Sequence, residues 1–127
     1  MGETLKKRPQ ELTKAELEIM QVIWQKKKVL VHDVLAELPE PKPAYNTVST
    51  IVRILENKGF VSHKAYGRTY EYFPIVAKED YTNTYMRTVL DNFFEGSVSR
   101  MVNFFSSQKS ISLEETDEIL KILNGDK

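Results

Sequence analysis

Apolar positions recur at helical spacing through most of this chain, and they divide it into six helical segments and one two-stranded ribbon. Ala15, Ile19, Val22 and Ile23, flanked by Leu12, Met20 and Trp24, form the stripe of a first helix. It starts at Thr13, which has capping-box spacing to Glu16. A short strand at Val29–Val31 is followed by a second helix over His32–Leu38, with Val34, Leu35 and Leu38 facing in. Pro39, Pro41 and Pro43 end it, because proline lacks an amide and disfavours helix in the residue before it. Val48, Ile51, Val52 and Leu55 repeat at i, i+3, i+4 and i+7 in a third helix from Tyr45 to Asn57, closed by Gly59 as a left-handed cap. Strands Phe60–Ala65 and Thr69–Phe73 follow, joined at Tyr66-Gly67-Arg68 and closed by Pro74.

Beyond Pro74 the pattern is helical again. Tyr81, Tyr85, Val89 and Phe93 recur every fourth residue between Ala77 and Phe94, with Met86, Leu90 and Phe94 beside them. After Gly96, Val98, Met101, Val102, Phe104 and Phe105 open a short apolar helix. Ser112 and Glu115 have capping-box spacing ahead of a last helix carrying Leu113, Ile119, Leu120, Ile122 and Leu123. The fold expected is mainly α: a winged helix-turn-helix over residues 1–75, then a helical dimerisation domain over 76–127. Three small helices cannot bury so broad an apolar surface among themselves. Packing on the winged domain is one outlet. Dimerisation is preferred, because apolar residues cover more than one face of the long helix. The residues expected at that interface are Tyr85, Val89, Phe93, Met101, Val102, Phe105, Ile119, Leu120 and Leu123.

The polar face of the third helix carries the functional signal. Asn46, Thr50, Arg53 and Asn57 point away from the apolar stripe, with Thr47 and Ser49 beside them. Solvated helix faces favour Glu, Lys and Gln; Asn, Ser and Thr are poorer helix formers and need another reason to be there. Base reading supplies one, since Asn pairs bidentately with adenine, Arg with guanine, and a Thr methyl packs on that of thymine. Charge agrees with this reading. The chain has no net charge, but residues 42–68 hold five basic side chains (Lys42, Arg53, Lys58, Lys64, Arg68) against one acid, Glu56. Such a cluster suits a phosphate-facing surface, with Lys64 and Arg68 on the ribbon as candidates for the backbone. Lys6, Lys7 and Arg8 form a polar arm that could add phosphate contacts, and Lys26, Lys27 and Lys28 suit the dipole at the end of the first helix.

Other classes of function find little support. With no cysteine, thiol nucleophiles, thiolate metal sites and disulfides are excluded. His32 and His63 stand in different elements without HExxH spacing, and His63 reads as a surface or phosphate-facing residue. The five glycines form neither GxxxxGK(S/T) nor GxGxxG. Glu114–Glu118 reads as a solvated helix face. Catalytic, cofactor and metal sites are therefore not expected. No run is apolar enough to span a bilayer and Met1–Arg8 lacks a signal-peptide core, so a cytoplasmic protein without direct membrane binding is expected.

From Leu12 to Leu123 the chain resembles the BlaI/MecI family of bacterial repressors. The likeness rests on LTKAELEIMQVIW in the first helix, NTVSTIVRILENKGFV in the third and GRTYEYFP in the ribbon, then EDY, GSVSRMVNFF and LEETDEILKIL. It implies a homodimeric repressor on palindromic operator DNA with TACA-type half-sites. Carried over by position, Asn46, Thr47, Ser49, Thr50 and Arg53 face the bases, with Lys64 and Arg68 on phosphate. Asn46 and Ser49 are shorter than the family's usual Lys and Arg or Gln, which alters the base edges within reach. In the antibiotic branch of the family, a membrane sensor with a zinc protease domain leads to cleavage of the repressor. The family's Val-Leu-Asn-Phe pattern corresponds to Met101-Val102-Asn103-Phe104, implying a cut between Asn103 and Phe104. The copper-responsive CopY branch carries a cysteine-rich motif that this chain lacks. The alternatives are a winged-helix module that binds protein, and a DNA-binding regulator answering to a bound effector without proteolysis. His32 and His63 are the only histidines that could serve a metal in the latter.

Overall fold

A computed structural model describes residues 11–108 and 112–123. The arm carrying Lys6, Lys7 and Arg8 lies outside them. Helices α1 (Lys14–Lys26), α2 (Val31–Glu37) and α3 (Tyr45–Asn57) precede strands β1 (Val61–Tyr66) and β2 (Thr69–Pro74). Helices α4 (Lys78–Phe93), α5 (Val98–Ser107) and α6 (Leu113–Leu123) follow. The chain up to Tyr81 forms one compact unit, and the chain from Thr82 forms a second.

The first unit is held by one apolar core. Ile19, Met20 and Ile23 of α1, Val34 of α2, Val48, Val52 and Leu55 of α3, and Val61 of β1 are all at most 2% exposed. Each such side chain contributes about 1.5–3 kcal/mol on burial, so these faces set how the helices pack. The ends of the helices are defined locally. Thr13 Oγ1 accepts from the Glu16 amide at 3.1 Å, and Glu16 Oε1 accepts from the Thr13 amide at 2.9 Å, completing the capping box. At the end of α3, Phe60 N–H bonds to Leu55 O and Gly59 N–H to Glu56 O, both at 3.0 Å. With Gly59 at φ 87°, this is a Schellman cap.

The ribbon is antiparallel, with Val61 opposite Pro74 and Tyr66 opposite Thr69. Its two-residue turn has Gly67 at φ 65° and Arg68 at negative φ, the pattern of a type II′ hairpin. The strand expected at Val29–Val31 is reduced to one bridge. Val29 and Tyr72 exchange backbone hydrogen bonds of 2.9 and 2.7 Å, but Val31 is already the first residue of α2. Tyr81 closes the unit: its hydroxyl accepts from the Leu12 amide at 2.9 Å, and its ring lies 5.6 Å from Phe60 and 6.1 Å from Trp24.

The second unit buries Leu90, Met101 and Val102. Gly96, at φ 77°, turns the chain between α4 and α5, and Ser97 caps α5 by accepting from the Arg100 amide at 3.1 Å. Ser112 and Glu115 form the expected capping box of α6. Met101 and Val102 thus lie in this unit's own interior rather than on its outer face. Of the other residues expected at an interface, Tyr85 and Phe93 are exposed, while Val89, Phe105, Ile119 and Leu120 are half-buried. The side chain of Leu123 lies outside the described residues. No described helix is long and apolar enough to cross a membrane.

Candidate nucleic-acid interface

Helix α3 shows two chemistries on one cylinder. Val48, Val52 and Leu55 are buried, whereas Asn46, Thr47, Thr50, Arg53 and Asn57 are exposed and Ser49 is half-buried. The 3.6-residue period and the buried stripe together turn these side chains outward. Of the described helices, α3 alone has neither a capping side chain nor an acid in its first turn. Its N-terminal amides and positive dipole end are therefore open to an anion.

Partners sort the five cations of the 42–68 window into two groups. Lys58 Nζ donates to both carboxylate oxygens of Glu16, at 2.8 and 2.9 Å. Glu16 is only 6% exposed, so this lysine is committed to the fold. Lys42 Nζ donates to the carbonyls of Leu35, Ala36 and Leu38 at 3.2, 3.1 and 2.6 Å, satisfying the C-terminal turn of α2. Arg53, Lys64 and Arg68 are exposed, and none is in an ion pair among the described residues. The basic surface is therefore smaller than the sequence count suggests, and it is concentrated on α3 and the ribbon.

Arg68 occupies the hairpin tip and lines a cleft of about 300 Å³ with Ser49, Tyr45, His32 and Tyr70. Two of the candidate residues, Ser49 and Arg68, meet there. Lys64 does not. It pairs in register with Glu71, so its side chain leaves the face of the ribbon opposite to that of His63, Tyr70 and Tyr72, with its ammonium 5.6 Å from the Tyr66 ring. His63 also departs from expectation. It is half-buried, hydrogen-bonded through Nδ1 to Glu56 Oε2 at 2.8 Å and stacked on Tyr70 at 4.1 Å, so it pins the ribbon to α3. Beneath this contact Tyr72 is buried, and burial, with the Glu56 charge nearby, raises its hydroxyl above the ordinary value.

Sequence reasoning missed the aromatic half of the cleft. The Tyr45 ring lies tilted against that of His32, with centroids 4.6 Å apart, which brings the first turns of α2 and α3 together. Tyr45 is 42% exposed, and an exposed aromatic at the start of a polar helix was the available signal. Among the described residues no group of three or more His, Cys, Asp or Glu is placed to hold a metal.

Three helices, an exposed polar third helix and a basic-tipped ribbon define a winged helix-turn-helix DNA-binding protein. The penicillinase repressor family model matches residues 12–125, and the chain belongs to that family. It is 32% identical over 124 residues to a penicillinase repressor of Bacillus licheniformis, covering 97% of this chain and 96% of that protein. It is 26% identical over 115 residues to the methicillin resistance regulatory protein MecI of Staphylococcus aureus, covering 90% and 94%. The solution structure of the DNA binding domain of the repressor BlaI superposes with a TM-score of 0.50 at 34% identity, covering 59% of this chain and 92% of that domain. The family is one of transcriptional repressors, not enzymes.

Proposed function

We propose that this protein represses transcription as a homodimer on a two-fold symmetric operator, acting in the cytoplasm by occluding a promoter. Asn46, Thr47, Ser49, Thr50 and Arg53 read bases in the major groove, and Arg68 holds the backbone at the edge of the site. Lys64, on the far face of the ribbon, is the weaker phosphate candidate. The observation that carries this reading is the uncapped, acid-free first turn of α3 beside an exposed Asn/Thr/Arg face.

The second unit supplies the dimer. It leaves Phe93, Phe104, Leu113 and Ile122 between 48% and 86% exposed while burying three side chains among the described residues. Apolar surface in that proportion favours a partner copy over water. Met101 and Val102 then support the interface from within. Cleavage at Asn103–Phe104, by a membrane sensor with a metalloprotease domain, fits the same design. Asn103 and Phe104 are exposed, but their bond lies inside the ten-residue α5, so a protease must first unwind that short helix.

Selection of duplexes by the purified chain, followed by a salt titration on the winner, tests the proposal. A palindromic winner bound by two chains, with log K falling linearly against log salt, is expected. Equal affinity for every duplex would instead assign α3 and the ribbon to a protein partner.

A further inference from the structure

A second concavity lies on the first unit, built from the end of α1, the end of β2 and the segment entering α4. It is an open cleft of about 770 Å³, within the size range of small-ligand sites. Trp24, Phe73 and Ile75 give it apolar wall, Gln21 and Gln25 add amides, and no carboxylate lines it. Lys27, Lys28 and Lys78 stand around it, and none of them has an ion-pair partner among the described residues. Neighbouring Lys26, by contrast, is matched by Glu37 at 3.4 Å. A cleft with cations of one sign and low-dielectric walls concentrates anions.

The backbone adds an independent observation. Lys27 follows the last turn of α1 at φ 74° and ψ −36°, a region that glycine adopts readily and a residue with a Cβ does not. Its amide still bonds to Ile23 O at 2.8 Å, so the bend is part of how α1 ends before Val29 pairs with Tyr72. Glycine would make this bend with less strain, yet a lysine occupies it and lines the cleft. Strain kept at a cavity wall points to a use for the side chain.

We infer that this cleft binds a small anion with an apolar body, such as an aromatic or long-chain carboxylate or sulfonate. The three ammonium groups take the charged head, while Trp24, Phe73 and Ile75 cover the body. The site is independent of the base-reading face, so its failure would leave the repressor reading untouched.

The test is a fluorescence titration of the full chain with 8-anilinonaphthalene-1-sulfonate, with decanoate and citrate as competitors. Saturable binding of one probe per chain is expected, displaced by decanoate but not by citrate, which has charge without an apolar body. Lys27→Gly should melt no lower than the parent yet bind the probe at least about fivefold more weakly, because it loses charge while relieving strain. The pair Lys28→Gln and Lys78→Gln, on exposed side chains, should weaken binding similarly whatever the backbone of residue 27 does. Probe affinity unchanged in both variants would overturn the inference and place the probe elsewhere. Displacement by duplex DNA of any sequence would also overturn it, by assigning these lysines to the phosphate backbone.

Discussion

Replacing Lys58 by methionine removes one ammonium and keeps most of the stem. Lys58 Nζ supplies two of the three hydrogen bonds reaching the Glu16 carboxylate, the third coming from the Thr13 amide. Glu16 is 6% exposed, so the variant leaves a buried charge with one donor. Breaking a buried pair from one side costs about 3–5 kcal/mol. The Lys58 side chain is 22% exposed, so water reaches the vacated position and the lower end, about 3 kcal/mol, is expected. Glu16→Gln should cost less, about 1–2 kcal/mol, because glutamine can still accept from the Thr13 amide. The double variant should lose about 2–3 kcal/mol, less than the two single losses added together, giving a coupling of about 2 kcal/mol. Urea unfolding followed by Trp24 fluorescence reads these differences. Acid supplies a second arm. Burial alone would raise the Glu16 carboxyl, but the Lys58 and Thr13 hydrogen bonds and the Lys58 charge outweigh it, leaving the pKa below its ordinary value. The unfolded chain then binds more protons across the carboxylate range. The pair's contribution is therefore fully present above the unfolded pKa of about 4.3 and is lost as pH falls through the folded value. The gap between parent and Lys58→Met should close over that window. A loss below about 1 kcal/mol at neutral pH, or a gap that does not narrow as pH falls below the unfolded carboxylate value, would refute the reasoning.

Further outcomes follow from the exposed face, the ribbon and the second unit. Arg53→Ala should weaken operator binding by about 1–3 kcal/mol and relax selectivity at one base position, read by competition between single-base operator variants. Arg68→Ala should weaken all duplexes alike and lower the salt slope by about one, measured by anisotropy at several salt concentrations. Lys64→Ala, on the ribbon's far face, should change that slope less. Phe93→Glu, at a position 74% exposed, should leave the melting of the first unit unchanged but shift sedimentation from dimer to monomer. A dimer that survives it would remove Phe93 from the interface.

Features confined to one helical turn were legible in the sequence. The Thr13–Glu16 and Ser112–Glu115 boxes form because everything they need lies three residues apart. The bounds of α3 coincide with expectation because proline precedes it and glycine, at positive φ, follows. Partnerships across the chain were not legible. Lys58 finds Glu16 at a separation of 42 residues and leaves the basic patch, and Lys42 leaves it by capping α2. His63 faces Glu56 through the strand's alternation, and Lys64, one residue on, therefore faces away. Composition counts such residues alike, whereas packing decides which remain available to DNA.

That distinction bears on the proposed dimer. Among the described residues of the first unit, Arg53 and Arg68 are free on the reading side and Lys64 on the far face of the ribbon, so they neutralise at most about three phosphates, giving a salt slope no steeper than about −2.7. Specific repressors rely on steeper electrostatics and on many base contacts, which short side chains such as Asn46 and Ser49 do not supply alone. Two linked units roughly double the slope, to about −5, and convert the second half-site contact into an intramolecular event. With so few free cations beside the described base-reading helix, the proposed dimer would draw most of its operator affinity at physiological salt from the linkage rather than from either half. In the proposed dimer, control of repression would be most efficient at the second unit, where opening the short helix α5 would free the Asn103–Phe104 bond and remove support for the interface without touching one DNA-reading residue. A sharp test is the isolated stretch up to Tyr81, which carries every reading residue. It should bind a half-site with a slope near −3 and gain nothing from a second half-site one turn away. Equal affinity of this stretch and the full chain for the complete operator would show that linkage contributes nothing.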